Sequence, residues 1–325
     1  TDRWARLRSN WSHSSFQNEE LNEILRIYQE IKPDLVFIFG TENPFGLVSP
    51  EFDAPAVISI QAVINGLVTR LFNGLPTRKL LQEIFSRNTL VGGGIFHKWW
   101  SHSRYARIER QIYRKNRYFC GRTDWDQNWS RVLNPASRYF HIDRVLRNPF
   151  YSSEWDLNSS APNRLFSLSG NAPFKGAVTL VEALIQTNRK RQEPVILHLA
   201  GVDPDSLVGN TILEMAHKAN MEDHVKLLGR IDPDQIITEM KGARAFVLPS
   251  HMDNSPNSLA EAMIIGMPCI ASDAGGIPSM INDGESGLIY PQQDLISLSD
   301  RICQVLDDPS KAQSLGKKAR QVALI

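Results

Sequence analysis

Cysteine is scarce in this chain: three residues, Cys120, Cys269 and Cys303, stand far apart among 325. An odd, scattered set offers no disulfide framework and no zinc-ligand spacing, so a reducing compartment is the simplest reading. Long apolar runs are missing as well. None approaches the roughly 18 residues of a membrane span, and the opening TDRWARLRSNWSHSS lacks the apolar core of a signal peptide. There is no CxxC, no GxGxxG and no Ser–His–Asp pattern. Gly92-Gly93-Gly94 neither follows a convincing strand nor opens a helix, and reads as a loop. What is present, 42% hydrophobic and 22% charged residues, describes a soluble globular chain long enough for two domains.

The net charge of +1 hides an uneven distribution. Residues 70–147 hold 16 Lys/Arg against 5 Asp/Glu, whereas residues 1–69 hold 5 against 9 and residues 148–325 hold 15 against 21. The basic stretch is interleaved with Trp99, Trp100, Tyr105, Tyr113, Tyr118, Trp125 and Trp129. Such a region suits nucleic acid, a phosphorylated acceptor or an anionic membrane surface. A solvated arginine-rich helix face explains it equally well.

Along the chain, 17–31 places Leu21, Ile24, Leu25 and Tyr28 on one helical face. Lys32-Pro33-Asp34 stops that helix, and LVFIFG (35–40) and AVISI (56–60) read as short buried strands. The sequence enters this α/β pattern on a helix with no preceding strand series, so we expect sequence upstream of Thr1 to be missing. Residues 104–117 are helical. Asn148-Pro149 and the adjoining FYSSEWDLNSSAPN read as a linker, which sets domains at 1–148 and 149–325.

The second half is plainer. RLFSLSG (164–170), PVILHLAG (194–201), HVKLLGR (224–230), ARAFVLPS (243–250), PCIAS (268–272) and GLIY (287–290) alternate with helices. This is the pattern of a doubly wound, Rossmann-like domain, whose ligands sit beyond the carboxyl ends of the strands. Gly170, Gly201, the Arg230 loop and the Ser250 loop fall on that edge. In PSHMDNSPNSLAEAMIIGMPC, Ser255 is the expected N-cap, Pro256 the first helical residue and Gly266 the stop. The amides and positive dipole end of such a helix attract an anion. Asp253 and Glu261 bracket that end.

Five blocks in order, SLSGNAPFKG, LHLAG, VKLLGR, AFVLPS and DNSPNSLAEAMIIGMPCIASDAGGIPSMINDGESGLIYP, make residues 164–325 resemble the donor-binding half of GT-B glycosyltransferases, specifically glycosyltransferase family 4. Residues 33–61 resemble the end of that family's N-terminal domain more weakly. The implied fold is α/β with GT-B architecture: two Rossmann-like domains facing a cleft, the N-terminal one incomplete. The implied activity is a retaining, metal-independent hexosyltransferase that moves a sugar from a UDP- or GDP-type nucleotide sugar to a hydroxyl of a glycan or lipid-linked acceptor. No cofactor, metal or nucleic acid is expected. The expected location is the cytoplasm, extending by peripheral association to the inner face of a membrane.

By the same resemblance, Glu261 holds the ribose hydroxyls and Asp253 contacts the donor sugar. Asp253 is a shorter carboxylate than the family's usual Glu. The backbone of Asn254, Ser255, Pro256, Asn257, Ser258 and Leu259, with the Ser258 hydroxyl, meets sugar and phosphate. Lys175 neutralises the diphosphate leaving group, a role suited to a point charge. Gly170, Asn171 and Gly201 line the site, and an arginine common before the lysine in relatives is absent from Gly170-Asn171-Ala172. Arg230 and Ile231 fall where the family's backbone reads the base, although a solvated loop arginine is an equal reading of Arg230. Gly275 and Gly276 permit close approach to the sugar, or form an ordinary turn. Gln61 replaces a histidine frequent in the family; it can hydrogen-bond a hydroxyl but cannot act as acid or base. His97, His102 and His141 are alternatives only by sequence proximity.

Three DxD triplets occur. Asp203-Pro204-Asp205 and Asp232-Pro233-Asp234 read as helix caps. Arg122 and Asp124, in Gly-Arg-Thr-Asp-Trp-Asp, are assigned to the acceptor side or to structure. Two other classes remain open: a nucleotide-sugar epimerase of the same fold, and a nucleic-acid-binding module built on residues 97–131.

Overall fold

The computed structural model describes residues 13–85, 89, 94–143 and 145–324. The chain forms two compact units. The first extends to Asp143, except for Phe72–Leu75, which belongs with the second. The division thus falls ahead of the 148–149 boundary expected from the sequence.

The first unit has four short parallel strands, β1 (Val36–Phe39), β2 (Ala56–Ser59), β3 (Tyr118–Gly121) and β4 (Arg138–His141), hydrogen-bonded in that order. Among the described residues its helices are α1 (His13–Ile31), α2 (Ile64–Val68), α3 (Thr77–Ile84), α4 (Ile95–Lys115) and α5 (Asp124–Leu133). The helix expected at 104–117 therefore begins earlier, after Gly94; Gly92 and Gly93 lie outside the described residues. Alternate strand residues face opposite sides of a sheet. On one side Ile38, Ile58 and Phe119 pack with Ile112 and Tyr113 into a core. The other side carries Phe37 and Phe39 on β1 and Phe140 on β4, which are 54%, 59% and 49% exposed.

Two buried carboxylates organise the loops of this unit. Glu109 of α4 accepts hydrogen bonds from Thr41 Oγ1 (2.8 Å), the amides of Ile64 (2.9 Å) and Asn65 (2.8 Å), and Asn65 Nδ2 (2.6 Å). It thereby caps α2 and ties it to the loop after β1. Burial pushes its carboxyl group up, against the pull of those donors. Asp126 accepts from the Arg122 amide (3.1 Å) and the Tyr139 hydroxyl (2.5 Å), while Thr123 caps α5. Asp124-Trp125-Asp126 is accordingly the first turn of a helix.

The second unit is a six-stranded, wholly parallel sheet: β5 (Ala161–Leu168), β6 (Ile196–Ala200), β7 (Val225–Gly229), β8 (Ala243–Leu248), β9 (Cys269–Ser272) and β10 (Leu288–Tyr290), in the order β7-β6-β5-β8-β9-β10. Its helices are α6 (Asn148–Tyr151), α7 (Ala177–Lys190), α8 (Leu207–Lys218), α9 (Pro233–Gly242), α10 (Asn257–Ile265), α11 (Leu295–Asp307) and α12 (Pro309–Ala323). Two separate cores cover its faces, one through α7, α8 and α11 and the other through α9 and α10, while α12 gives Ala312 and Leu315 to the first and Ala319 to the second. All six residues of β8 are buried, Arg244 among them, as expected of a strand covered on both sides. The chain reverses its direction of winding between β5 and β8. That is the topological switch point, where a crevice opens at the carboxyl ends of the strands.

The remaining DxD triplets differ from each other. Asp232 caps α9 in a reciprocal capping box with Gln235, with Pro233 in the first turn. Asp203 does not cap α8. Ser206 does, accepting from Gly209, and Asp203 instead accepts from the amide of Asp205, two residues on. The intervening turn delays the helix.

Candidate functional site

At the switch point the turn after β5 meets the loop after β8. Pro173–Lys175 is one turn of 3-10 helix, and Gly176 links it to α7. Gly176 has φ +76°, and a Cβ there would lie 1.8 Å from the Pro249 carbonyl oxygen. Only glycine lets the two loops approach this closely. The His251 amide donates to the Phe174 carbonyl (2.7 Å), which locks the loop to the turn. On the other side the Gly276 amide donates to the Asp253 carbonyl (3.0 Å). Gly275, at φ +58°, would place a Cβ 1.9 Å from that same oxygen.

Held between these contacts, Lys175 and Asp253 form an ion pair of 2.7 Å, with side chains 35% and 13% exposed. The Ser250 hydroxyl also donates to Asp253 (3.3 Å). The structure thus joins the cation and the carboxylate that the sequence placed 78 residues apart. A lysine reaching outward here supplies a positive charge at the mouth of the crevice.

Beyond this loop lies α10. Its start differs from the expectation: the N-cap is Pro256, not Ser255, and no side chain caps it. Pro256 is extended (ψ 118°), so its carbonyl already accepts from the Leu259 and Ala260 amides while its own position lies outside the helix. The Leu259 amide is consequently engaged, and its side chain is in the core. Asn257 and Ser258 head the helix. Gly266 ends it in the left-handed conformation, as expected.

Glu261, one turn further on, is buried. It receives a side-on guanidinium: Arg147 Nε to Oε1 and Arg147 Nη2 to Oε2, both 2.8 Å. The Arg147 guanidinium also lies 4.6 Å from the Phe150 ring centre. Arg147 was not singled out from the sequence, because nothing in RVLRNPF marks it and its partner is 114 residues away.

The other sequence candidates have varied surroundings. Gly170 lies just beyond β5 in open space. Asn171 is exposed and its Oδ1 accepts from the Asp203 amide (2.8 Å), bracing the β5 and β6 loops. Gly201 donates through its amide to the Gly229 carbonyl (2.6 Å). Arg230 is exposed beyond β7, and Ile231 packs against the core. Asn254 is buried within the loop. In the first unit Gln61, Arg122 and Asp124 all lie beyond the carboxyl ends of strands: Gln61 after β2, where its Nε2 donates to Ser59 Oγ (2.7 Å), and Arg122 and Asp124 after β3. His141, which is exposed, pairs with Asp143, and half-buried His102 hydrogen-bonds its own helix backbone. Among the described residues no three His, Cys, Asp or Glu side chains converge as a metal-binding group.

The family model of glycosyl transferases group 1 matches residues 154–322. Among curated proteins, the GDP-mannose-dependent alpha-(1-6)-phosphatidylinositol monomannoside mannosyltransferase of Mycobacterium tuberculosis is 28% identical over 47% of this chain and 41% of its own length. The chain spans less than half the length of the curated relatives it matches. Among solved structures, sucrose-phosphate synthase from Thermosynechococcus elongatus aligns over 94% of this chain and 73% of its own, at 20% identity and TM-score 0.72. Anabaena HepE in complex with UDP aligns over 93% and 76%, at 15% identity and TM-score 0.68. These likenesses give the fold.

Proposed function

This chain belongs to the glycosyl transferases group 1 family and has the GT-B class of fold; on that premise we propose that it is a retaining, metal-independent glycosyltransferase. It takes a nucleotide-diphosphate sugar at the β5–β8 switch point and passes the sugar to a hydroxyl of a glycan or lipid-linked acceptor. The observation that carries the reading is the Lys175–Asp253 ion pair at the mouth of that crevice, on the loop that leads into α10. A diphosphate leaving group develops negative charge as the glycosidic bond breaks. Lys175 and the amides heading α10 meet that charge, while Asp253 contacts the sugar and Glu261 accepts the ribose hydroxyls. No protein base is assigned; the departing diphosphate itself takes the acceptor proton. UDP and GDP are the donor types favoured, since HepE was solved with UDP and the mycobacterial relative is named for GDP-mannose.

The test is nucleotide binding by calorimetry, with bare nucleotides beside their sugar forms. Glu261→Ala should weaken every ribonucleotide by roughly ten- to a hundredfold, the scale of a lost hydrogen-bonded charge. Asp253→Ala should erase the affinity difference between a sugar nucleotide and its bare diphosphate. Parent-like binding by both variants would sink the site assignment.

For the acceptor we propose peripheral contact with an anionic membrane surface at its cytoplasmic face. On α3, Arg78 and Lys79 accompany exposed Leu81 and Ile84, Phe85 follows at 83% exposure, and α4 exposes Trp99 and Trp100. Cations beside exposed aromatic and aliphatic groups suit lipid headgroups. No helix among the described residues is long and apolar enough to cross a membrane. Vesicle sedimentation should rise with anionic lipid and fall with salt; insensitivity to both would remove this part of the proposal.

A further inference from the structure

Glu261 is not an open carboxylate. Its side chain is 4% exposed, whereas that of Arg147, which binds both of its oxygens, is 43% exposed. The carboxylate is thus buried, and the side chain that binds it reaches solvent. The guanidinium edge presents two roughly parallel N–H donors, and both contacts measure 2.8 Å. A vicinal diol presents two O–H donors to a carboxylate in a similar way. Phe150, under the guanidinium, fixes the plane from which these donors point.

We infer that Arg147 is a stand-in for the ribose diol: a positioning residue that keeps Glu261 satisfied while the site is empty and yields the carboxylate when a donor enters. This inference rests on the donor-site reading above. Two facts together support it. A buried carboxylate without a partner is strongly disfavoured, so the empty site needs a cation. Arg147 occupies one lone pair on each oxygen, and Glu261 is otherwise buried, so on this inference the ribose exchanges with Arg147 for those positions. The consequence is a muted preference for ribose in the parent chain, because gaining the diol means losing the ion pair. A ligand without the diol leaves Arg147 in place, so it forfeits less than it would in a chain whose Glu261 lacks that ion pair.

The experiment compares dissociation constants of UDP and GDP with those of their 2′,3′-dideoxy counterparts. The parent, Arg147→Ala and Arg147→Gln are measured. Each pair has equal charge, so a general loss of attraction for the diphosphate cancels in the ratio of dideoxy to ribo constants. Arg147→Gln is included because Arg147→Ala exposes a buried, unpaired carboxylate and can compromise folding, which thermal melting reports. The ratio should rise about tenfold or more in the variants, and this rise should vanish when Glu261→Gln is added. An unchanged ratio would mean that Arg147 and the diol do not compete for the same oxygens. A falling ratio would mean that Arg147 orients Glu261 for the diol. Either overturns the inference. If neither UDP nor GDP binds the parent or the variants, the donor-site reading falls instead, and the inference with it.

Discussion

The two sheets of this protein are built from the same parallel unit but covered differently. In the six-stranded sheet both faces are sealed by helices, and every residue of β8 is buried. In the four-stranded sheet one face holds the core around Ile58 and Phe119, while Phe37, Phe39 and Phe140 on the other remain about half exposed. Hydrophobic stabilisation scales with apolar area removed from water, so the second unit has a surplus that the first lacks. The difference bears on function. The ion pair and the close glycine approaches at Gly176 and Gly275 need a rigid base, and the doubly covered sheet supplies one. The first unit relies on buried polar braces instead, Glu109 and Asp126, which hold its loops through directed hydrogen bonds.

Truncation of matched phenylalanines should break this contrast most visibly. Phe246, at the centre of β8, is fully buried and packs 6.2 Å from the ring of Phe166. Phe246→Ala should cost about 3–5 kcal/mol, the usual range for emptying an aromatic core site. Phe39→Ser should change stability by no more than about 0.5 kcal/mol, since its ring is already mostly in water. Urea denaturation of each variant measures both. If the two costs come out alike, the uncovered face is covered in solution and the comparison fails.

How much of this could be read in the sequence also differs between the units. The second sheet was legible because its mostly apolar strand runs alternate regularly with helical stretches, and β5, β6 and β7 run into glycines at 170, 201 and 229, a pattern visible without pairing information. β3 and β4 were not, since YFCG and RYFH are four residues each, begin beside arginines, and acquire strand character only through their register with β2. At the site, Lys175 and Asp253 could be named from local context and family likeness, while their contact depends on two glycines whose partners are carbonyls far along the chain. The cap of α10 falls one position beyond the one the sequence suggests, because a proline outside a helix looks the same as one in its first turn. Arg147 carried no local signal. Its role exists only once α6 and α10 are brought together, and side-chain pairing across 114 residues leaves no spacing to recognise.

A smaller effect sharpens the comparison without any mutation. Cys120 lies on β3, on the thinly covered face, and Cys269 opens β9 in the second unit; they are 1% and 0% exposed. Burial pushes both thiols up, so neither reacts until its surroundings open. Cys303 is partly exposed and serves as the internal reference. Segments open locally with free energies that follow how much packing each must break. Opening around Cys120 breaks one core and a half-bare face, whereas reaching Cys269 requires separating α10 and α12 from the sheet that they cover. In sub-denaturing urea, thiol labelling followed by peptide mass spectrometry should therefore modify Cys303 first, then Cys120, and Cys269 last. A gap of about 1.4 kcal/mol between the two opening steps corresponds to a tenfold difference in labelling rate. If Cys269 reacts before Cys120, the six-stranded sheet is not the more stable platform, and the rigidity assigned to the Lys175–Asp253 site loses its basis.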